Sequence, residues 1–192
     1  GDEVQVSGRV IGARKKEHVY IALNQPVGIT CPTERHNEAN IVDFVRHLAG
    51  VFPIGRLDKE SEGLILLTSN GDIVNEILRV ENHHEKEYVV TVDRAINDRF
   101  LADMARGVRL PELDAVTQPC KLSAVKANTF RIVLTQGLNR QIRRMCEVFG
   151  YDVRRLQRVR IINLQLGNLR PGAWRDLTPD ERRGLLPLRT QW

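Results

Sequence analysis

The chain has 192 residues, 42% hydrophobic and 28% charged, a composition that builds a packed core and excludes collagen-like and low-complexity classes. No window of about 20 apolar residues is present to span a bilayer, and no basic-then-apolar segment opens the chain. The net charge of +5 is unevenly placed: residues 1–138 carry 17 basic and 19 acidic side chains, residues 139–192 carry 12 and 5, and all twelve of the latter bases are arginine.

Arginine pairs bidentately with phosphate and stacks on bases. The C-terminal stretch therefore reads as a nucleic-acid surface, against the plainer alternative of a solvated basic face. The cysteines, Cys31, Cys120 and Cys146, are odd in number and form no C-x-x-C. A disulfide framework or zinc ribbon is not expected, and a reducing, cytoplasmic setting fits. No phosphate-cradling glycine motif and no H-E-x-x-H occurs, so no nucleotide cofactor and no metal are expected.

The chain begins at Gly1 without Met, which suggests a piece of something longer; residues 2–10 alternate like a strand. Val19 to Leu23 reads as a core strand. Asn40 can cap a helix whose Ile41, Phe44, Val45 and Leu48 fall at helical spacing, ended by Gly50. Leu64 to Thr68 is an unbroken apolar run suited to the middle of a sheet. Asn70-Gly71 predicts a turn, followed by a short helix over Ile73, Val74, Ile77 and Leu78. Glu87 to Asp93 alternates as a strand. Asn97 or Asp98 starts a helix with Phe100, Leu101 and Met104 inward, closed by Gly107. Two strands are expected between Ala115 and Thr135, turning at Ala127-Asn128. A helix over Asn139 to Phe149 ends at Gly150, and one long strand follows from Val153 to Leu166. Thr178-Pro179-Asp180-Glu181 is a capping box with proline at the first helical position. The pattern predicts an α+β fold with a mixed, mainly antiparallel sheet and flanking helices.

Within this frame, Asp58 lies in a polar loop between Gly55 and Gly63, against a fully apolar strand: a rigid mount for a reactive group. A lone aspartate there reads first as a turn residue. Asp58, Glu60 and Glu62 at alternate positions also suggest a magnesium site or a carboxylate pair. On the 139–149 helix, Ile142, Met145, Cys146 and Phe149 form the buried stripe. Arg140 and Arg144 should then point outward, and Arg143, about 100° from Ile142, should sit on the stripe's border. From there it can offer its guanidinium to a partly buried carboxylate such as Asp58, or simply reach solvent. Tyr88 shares a strand face with Val90 and Val92 and by itself reads as a core tyrosine.

Taken together, these segments resemble the RsuA-like family of ribosomal RNA pseudouridine synthases. GRLDKESEGLILLTSNGD, residues 55–72, resembles the family's R-L-D-x-x-[ST]-x-G-L motif. KEYVVTV, residues 86–92, resembles its tyrosine motif, and QGLNRQIRRMCEVFGYDVRRLQRVRI, residues 136–161, its third. Leu169 to Thr178 fits its closing L-x-x-G-x-W-R-x-L-T pattern. The resemblance implies an isomerase that converts a uridine of large-subunit ribosomal RNA to pseudouridine without cofactor or metal. It implies Asp58 as the catalytic aspartate, Tyr88 as the residue that stacks on the base and assists proton removal, and Arg143 as the partner of the aspartate. Arg56 would fill the gap left by the flipped base. Lys86, Asn139, Arg140 and Arg144 complete the expected RNA-binding set. The implied partner is RNA, a ribosomal stem-loop or also a transfer RNA, and no membrane. Residues 1–11 would be the last strand of an S4-type RNA-binding domain, and 12–192 the catalytic domain. Two rivals remain at this level: a non-catalytic RNA-binding module with Asp58 as a turn residue, and a metal-dependent nuclease using Asp58, Glu60 and Glu62.

Overall fold

The structure, a computed structural model, describes residues 18–28 and 50–185. The strand expected at 2–10, the helix expected at 40–48 and Cys31 lie outside the described residues.

Strands β1 (Tyr20–Gln25) and β3 (Glu62–Thr68) pair antiparallel and are buried on nearly every residue. Both faces of this part of the sheet are covered, which is why these strands read as continuous apolar runs rather than alternating ones. Ala22, Leu64 and Leu66 face one cluster with Ile73 and Ile77, while Ile21, Leu23, Ile65 and Leu67 face another. The short β2 (Phe52–Ile54) also pairs with β3. After a single 3-10 turn at Gly71–Ile73, helix α1 (Val74–Asn82) buries Ile77.

Strand β4 (Lys86–Val92) and helix α2 (Asp98–Ala105) open a second core. Asn97 caps α2 by accepting the Phe100 N–H, and Phe100 and Met104 pack inward with Val90, Phe130 and Ile132. Between Ala115 and Thr135 there are three strands rather than two. β5 (Arg109–Leu110) pairs with β6 (Ala115–Val116), and β7 (Lys121–Lys126) pairs with β8 (Thr129–Leu134) across the expected turn. Two-residue strands are too short to show any period.

Helix α3 (Gln141–Val148) starts two residues later than its pattern suggests, because Arg140 adopts φ +49°, ψ +37°, outside the helix. The long strand expected to reach Leu166 is a hairpin, β9 (Val153–Ile161) and β10 (Leu164–Gln165). Ile162 turns it at φ +55°, a conformation that a β-branched residue rarely adopts and that no turn signal in the sequence announces. β11 (Trp174–Asp176) leads into α4 (Pro179–Leu185). Here the capping box is formed: Glu181 N–H donates to Thr178 Oγ1 at 3.2 Å, and Thr178 N–H to Glu181 Oε1 at 2.8 Å. Arg175 clasps the Glu181 carboxylate at 2.8 Å, holding it below the usual carboxylate range.

The main sheet runs β11-β1-β3-β9-β4-β8-β7, with β2 and β10 at the side. All pairs are antiparallel except β3 with β9, where Gln157 faces Glu62 and Arg158 faces Gly63. This α+β architecture, with four flanking helices among the described residues, is the expected one. Gly63, at φ +114°, is required at the parallel join: a Cβ there would lie 2.3 Å from the Arg158 carbonyl oxygen. The close approach brings β9 beside the loop that carries Asp58.

Candidate active site

The loop before β3 is tied down by its own backbone. Ser61 N–H donates to the Asp58 carbonyl at 2.9 Å, closing a tight turn, and the Lys59 carbonyl accepts from Gly28 N–H at 2.7 Å. Asp58 is thereby fixed at the rim of a cavity of about 240 Å³, also lined by Arg56, Tyr88 and Arg140.

Arg143 comes to this loop from α3. It is buried, donates from Nη2 to Ser61 Oγ at 3.1 Å, and places Nε 3.7 Å from Asp58 Oδ2. The sequence placed it on the border of the apolar stripe; the structure takes it inside. Its Nε makes no hydrogen bond among the described residues, and Asp58 is the carboxylate beside it.

Arg140 corrects the helical reading more strongly. Being off the helix in the left-handed region, it does not point away from the site. Nη1 lies 2.7 Å from Glu60 Oε1 and 3.5 Å from Asp58 Oδ2. The hydrogen bond from Arg140 holds the Glu60 carboxyl below its usual range. Asp58 thus has a buried guanidinium on one side and a more exposed one on the other. Arg144, expected to face outward, is half-buried: it donates to the Asn139 carbonyl at 2.9 Å and to Asn139 Oδ1 at 2.8 Å. With the helix starting late, Asn139 folds back within its reach, and the bonds between the two stabilise the loop.

Lys86, expected as an RNA contact, lies on the lining of the same cavity. It is buried, and its ammonium donates to the carbonyls of Glu81 at 2.7 Å and Thr135 at 3.0 Å. Burial pushes its pKa down. Tyr88 is half-buried and stands directly across the β4–β9 pair from Arg158. Arg56 is exposed on the cavity lining. The acids at alternate positions do not converge: Glu60 meets Arg140, and Glu62 meets Arg155. Among the described residues no group of three or more His, Cys, Asp or Glu gathers in a metal-binding arrangement.

Four site residues escaped the sequence reading. Ser61 holds Arg143, and its signal was its place in the quoted motif. Gln141 orders the preceding loop, accepting from Leu138 N–H at 3.1 Å and donating to Gln136 Oε1 at 3.2 Å; nothing in the sequence marks it. Glu81 lies one turn after Ile77 on the buried face of α1, and Arg158 lies two residues after the inward Leu156. An acid and an arginine on inward faces were the available signals.

A family model described as RNA pseudouridylate synthase matches residues 19–148, which include the Asp58 loop, Tyr88 and the Arg143 helix. The chain belongs to this family. Among its relatives, the dual-specificity RNA pseudouridine synthase RluF of Escherichia coli (strain K12) is 56% identical over 98% of this chain, which spans 64% of that protein's length. The ribosomal large subunit pseudouridine synthase B of Bacillus subtilis (strain 168) is 34% identical over 97% of this chain and 78% of its own. A crystal structure of a pseudouridylate synthase superposes with a TM-score of 0.76 at 27% identity, covering 90% of this chain and 75% of that one. Among the described residues of this pseudouridylate synthase family member, no helix is long and apolar enough to cross a membrane.

Proposed function

We propose that this protein isomerises a uridine of structured RNA to pseudouridine, with ribosomal RNA as its principal substrate and Asp58 as the reacting carboxylate. The observation that carries the reading is the placement of Asp58: on a pinned turn at a cavity rim, between the guanidinium groups of Arg143 at 3.7 Å and Arg140 at 3.5 Å. The reaction breaks N1–C1′, turns the uracil and joins C5 to C1′, with loss of the C5 proton at the end. A carboxylate that attacks C1′ or C6, or that removes the C2′ proton, starts it. Tyr88 is then the ring against which the base stacks and the hydroxyl that assists the last proton removal. The base must leave its stack, at a cost of a few kcal/mol, and Arg56 is proposed to fill the space.

The names of the relatives support ribosomal RNA, and the dual specificity of the Escherichia coli protein supports a second RNA class, of which transfer RNA is our candidate. A cytoplasmic location belongs to the same proposal, as do residues 1–11 as the end of an S4-type domain.

The test is tritium release from RNA carrying 5-tritiated uridine, with Asp58→Asn as the paired control. Release by the wild type and none by the variant, with RNA binding retained, supports the reading. Intact binding without release by the wild type would favour the RNA-binding module, and metal-dependent RNA fragments would favour the nuclease.

A further inference from the structure

The loop that joins β8 to α3 carries a side-chain amide whose orientation the fold dictates. Gln136 Oε1 accepts twice, from the Gln118 main-chain N–H at 2.9 Å and from Gln141 Nε2 at 3.2 Å. A main-chain N–H can only donate, so the atom that meets it is the oxygen and the amide cannot be flipped. Gln141 is fixed in the same way: its Oε1 accepts the Leu138 N–H at 3.1 Å, which leaves its nitrogen to donate. These bonds turn the Gln136 oxygen toward the protein and its nitrogen the other way. Gln136 is half-buried on the lining of the cavity that also holds Asp58 and Tyr88. Its Nε2 makes no hydrogen bond among the described residues, yet it is not among the atoms closed off from solvent. A donor with a fixed direction thus stands open on the cavity wall.

The surroundings say which acceptor suits it. Leu134 and Leu138, two residues to either side, line the same cavity, so the amide is set in an apolar stretch. Phosphate is met better by the guanidinium groups of Arg56 and Arg140 on the same lining. A neutral amide between leucines suits a neutral carbonyl. Leu134 faces Lys86 across the β4–β8 pair, and Tyr88 lies two residues along β4 from Lys86. Gln136, two residues past Leu134, therefore borders the side of the sheet on which Tyr88 stands. We propose that Gln136 Nε2 donates to a carbonyl oxygen of the flipped uracil. This rests on the synthase reading above and deepens it.

The geometry of the reaction gives such a contact a second use. To exchange N1 for C5 at the sugar, the detached ring turns by half a revolution about its N3–C6 axis. That turn exchanges O2 with O4. A donor beside one of these oxygens before the turn is beside the other after it, so a single amide holds the ring at both ends of its path. Cytosine fits less well, because its 4-amino group would bring a donor to the donor in one of the two orientations. The bonds that orient the amide matter for the same reason. A freely turning amide would offer its oxygen as readily as its nitrogen, and an oxygen there repels the carbonyl.

The experiment uses Gln136→Glu, which has the same shape and keeps an oxygen for Gln118 N–H and Gln141 Nε2 but donates nothing when ionised. Single-turnover rates are measured against protein concentration on stem-loops whose target is uridine, 2-thiouridine or 4-thiouridine, with products separated as nucleosides. The variant should unfold within about 3 °C of wild type. Its saturating rate on uridine should fall by about tenfold or more, since a carboxylate then faces the carbonyl, while the half-saturating concentration stays within about threefold. Sulfur accepts a hydrogen bond poorly, so wild type should slow about fivefold on at least one thio RNA, and the variant should treat that RNA and uridine alike within about twofold. A wild-type saturating rate for Gln136→Glu, or a loss confined to the half-saturating concentration as for a phosphate contact, would overturn the proposal. So would a wild type indifferent to both sulfurs, or a sulfur effect undiminished in the variant. If Gln136→Glu does not fold, Gln136→Met replaces it with the same outcomes. Absence of pseudouridine from the uridine RNA with wild type would instead overturn the synthase reading itself.

Discussion

Arg143 Nε stands 3.7 Å from Asp58 Oδ2 while its Nη2 is anchored on Ser61 Oγ. The guanidinium is fixed by a hydroxyl on the same turn that carries the aspartate, so turn and helix lock each other. Replacing Arg143 by Ala should slow single-turnover isomerisation by about 10²–10³, the cost of removing one preorganised charge partner. The salt dependence of RNA binding should hardly change, because a buried side chain contacts no phosphate. Ser61→Ala should give a smaller loss in the same direction. A wild-type rate for Arg143→Ala at saturating RNA would contradict the role of this pair.

Arg140 is shared by Glu60 and Asp58. An RNA phosphate arriving at Arg140 has to displace Glu60, which occupies the guanidinium in the free protein. Glu60→Gln should therefore tighten RNA binding a few-fold at low salt. Arg140→Ala should weaken binding and reduce the salt slope of log K by about 0.7–0.9. Titrations at several salt concentrations separate the two; an unchanged slope in Arg140→Ala would place that residue away from phosphate.

Glu81 makes stability depend on pH. Its carboxyl lies at about 7 in the folded chain against an ordinary 4.5, because burial disfavours the charge. The folded state thus holds the proton more tightly. The stabilisation is fully present below pH 4.5 and is lost as pH rises to 7, a change of about 3 kcal/mol. Glu81→Gln carries no titratable proton. It should match wild type near pH 4.5 and exceed it in urea unfolding at pH 8. A difference that is the same at both pH values would show that Glu81 is not the titrating group.

Gly63→Ala should be among the most damaging single-methyl additions in the chain. The new Cβ would meet the Arg158 carbonyl oxygen at 2.3 Å, and φ +114° is unfavourable for any L side chain. Loss of about 3 kcal/mol or more is expected, together with activity, since the join carries both Arg158 and the Asp58 loop. Thermal unfolding and turnover measured side by side check this.

Much of this architecture could be read from residue order. Leu64 to Thr68 declared a strand in the middle of the sheet, Asn97 or Asp98 declared a cap that Asn97 supplies, and Thr178 with Glu181 declared a reciprocal one. Apart from strands too short to show a period, what escaped shares a physical cause: backbone conformations that ran against residue preference. Arg140 and Ile162 both sit at positive φ, so a helix seemed longer and a hairpin seemed a single strand. The site followed the same division. Asp58, Tyr88 and Arg143 were visible because they stand in matched motifs; by its polar loop alone Asp58 read as a turn residue. Glu81 and Arg158 were hidden because charged residues on inward faces are read as surface unless the face is counted.

The parallel join of β3 and β9 also bears on when the proposed site can assemble during folding. Glu62 and Gly63 pair with Gln157 and Arg158, across nearly half the chain, whereas the β7–β8 and β9–β10 hairpins close locally. Distant pairing must meet its loop-closure entropy before any contact rewards it, so it forms late. Asp58 precedes that join on one side and Arg143 approaches from the other, so neither meets its partner in a half-assembled chain. On dilution from denaturant, secondary structure should return first, and turnover should reappear only with the slowest refolding phase. A nascent chain, likewise, would hold an aspartate with no guanidinium behind it until α3 and β9 have left the ribosome, and it would stay chemically silent until then.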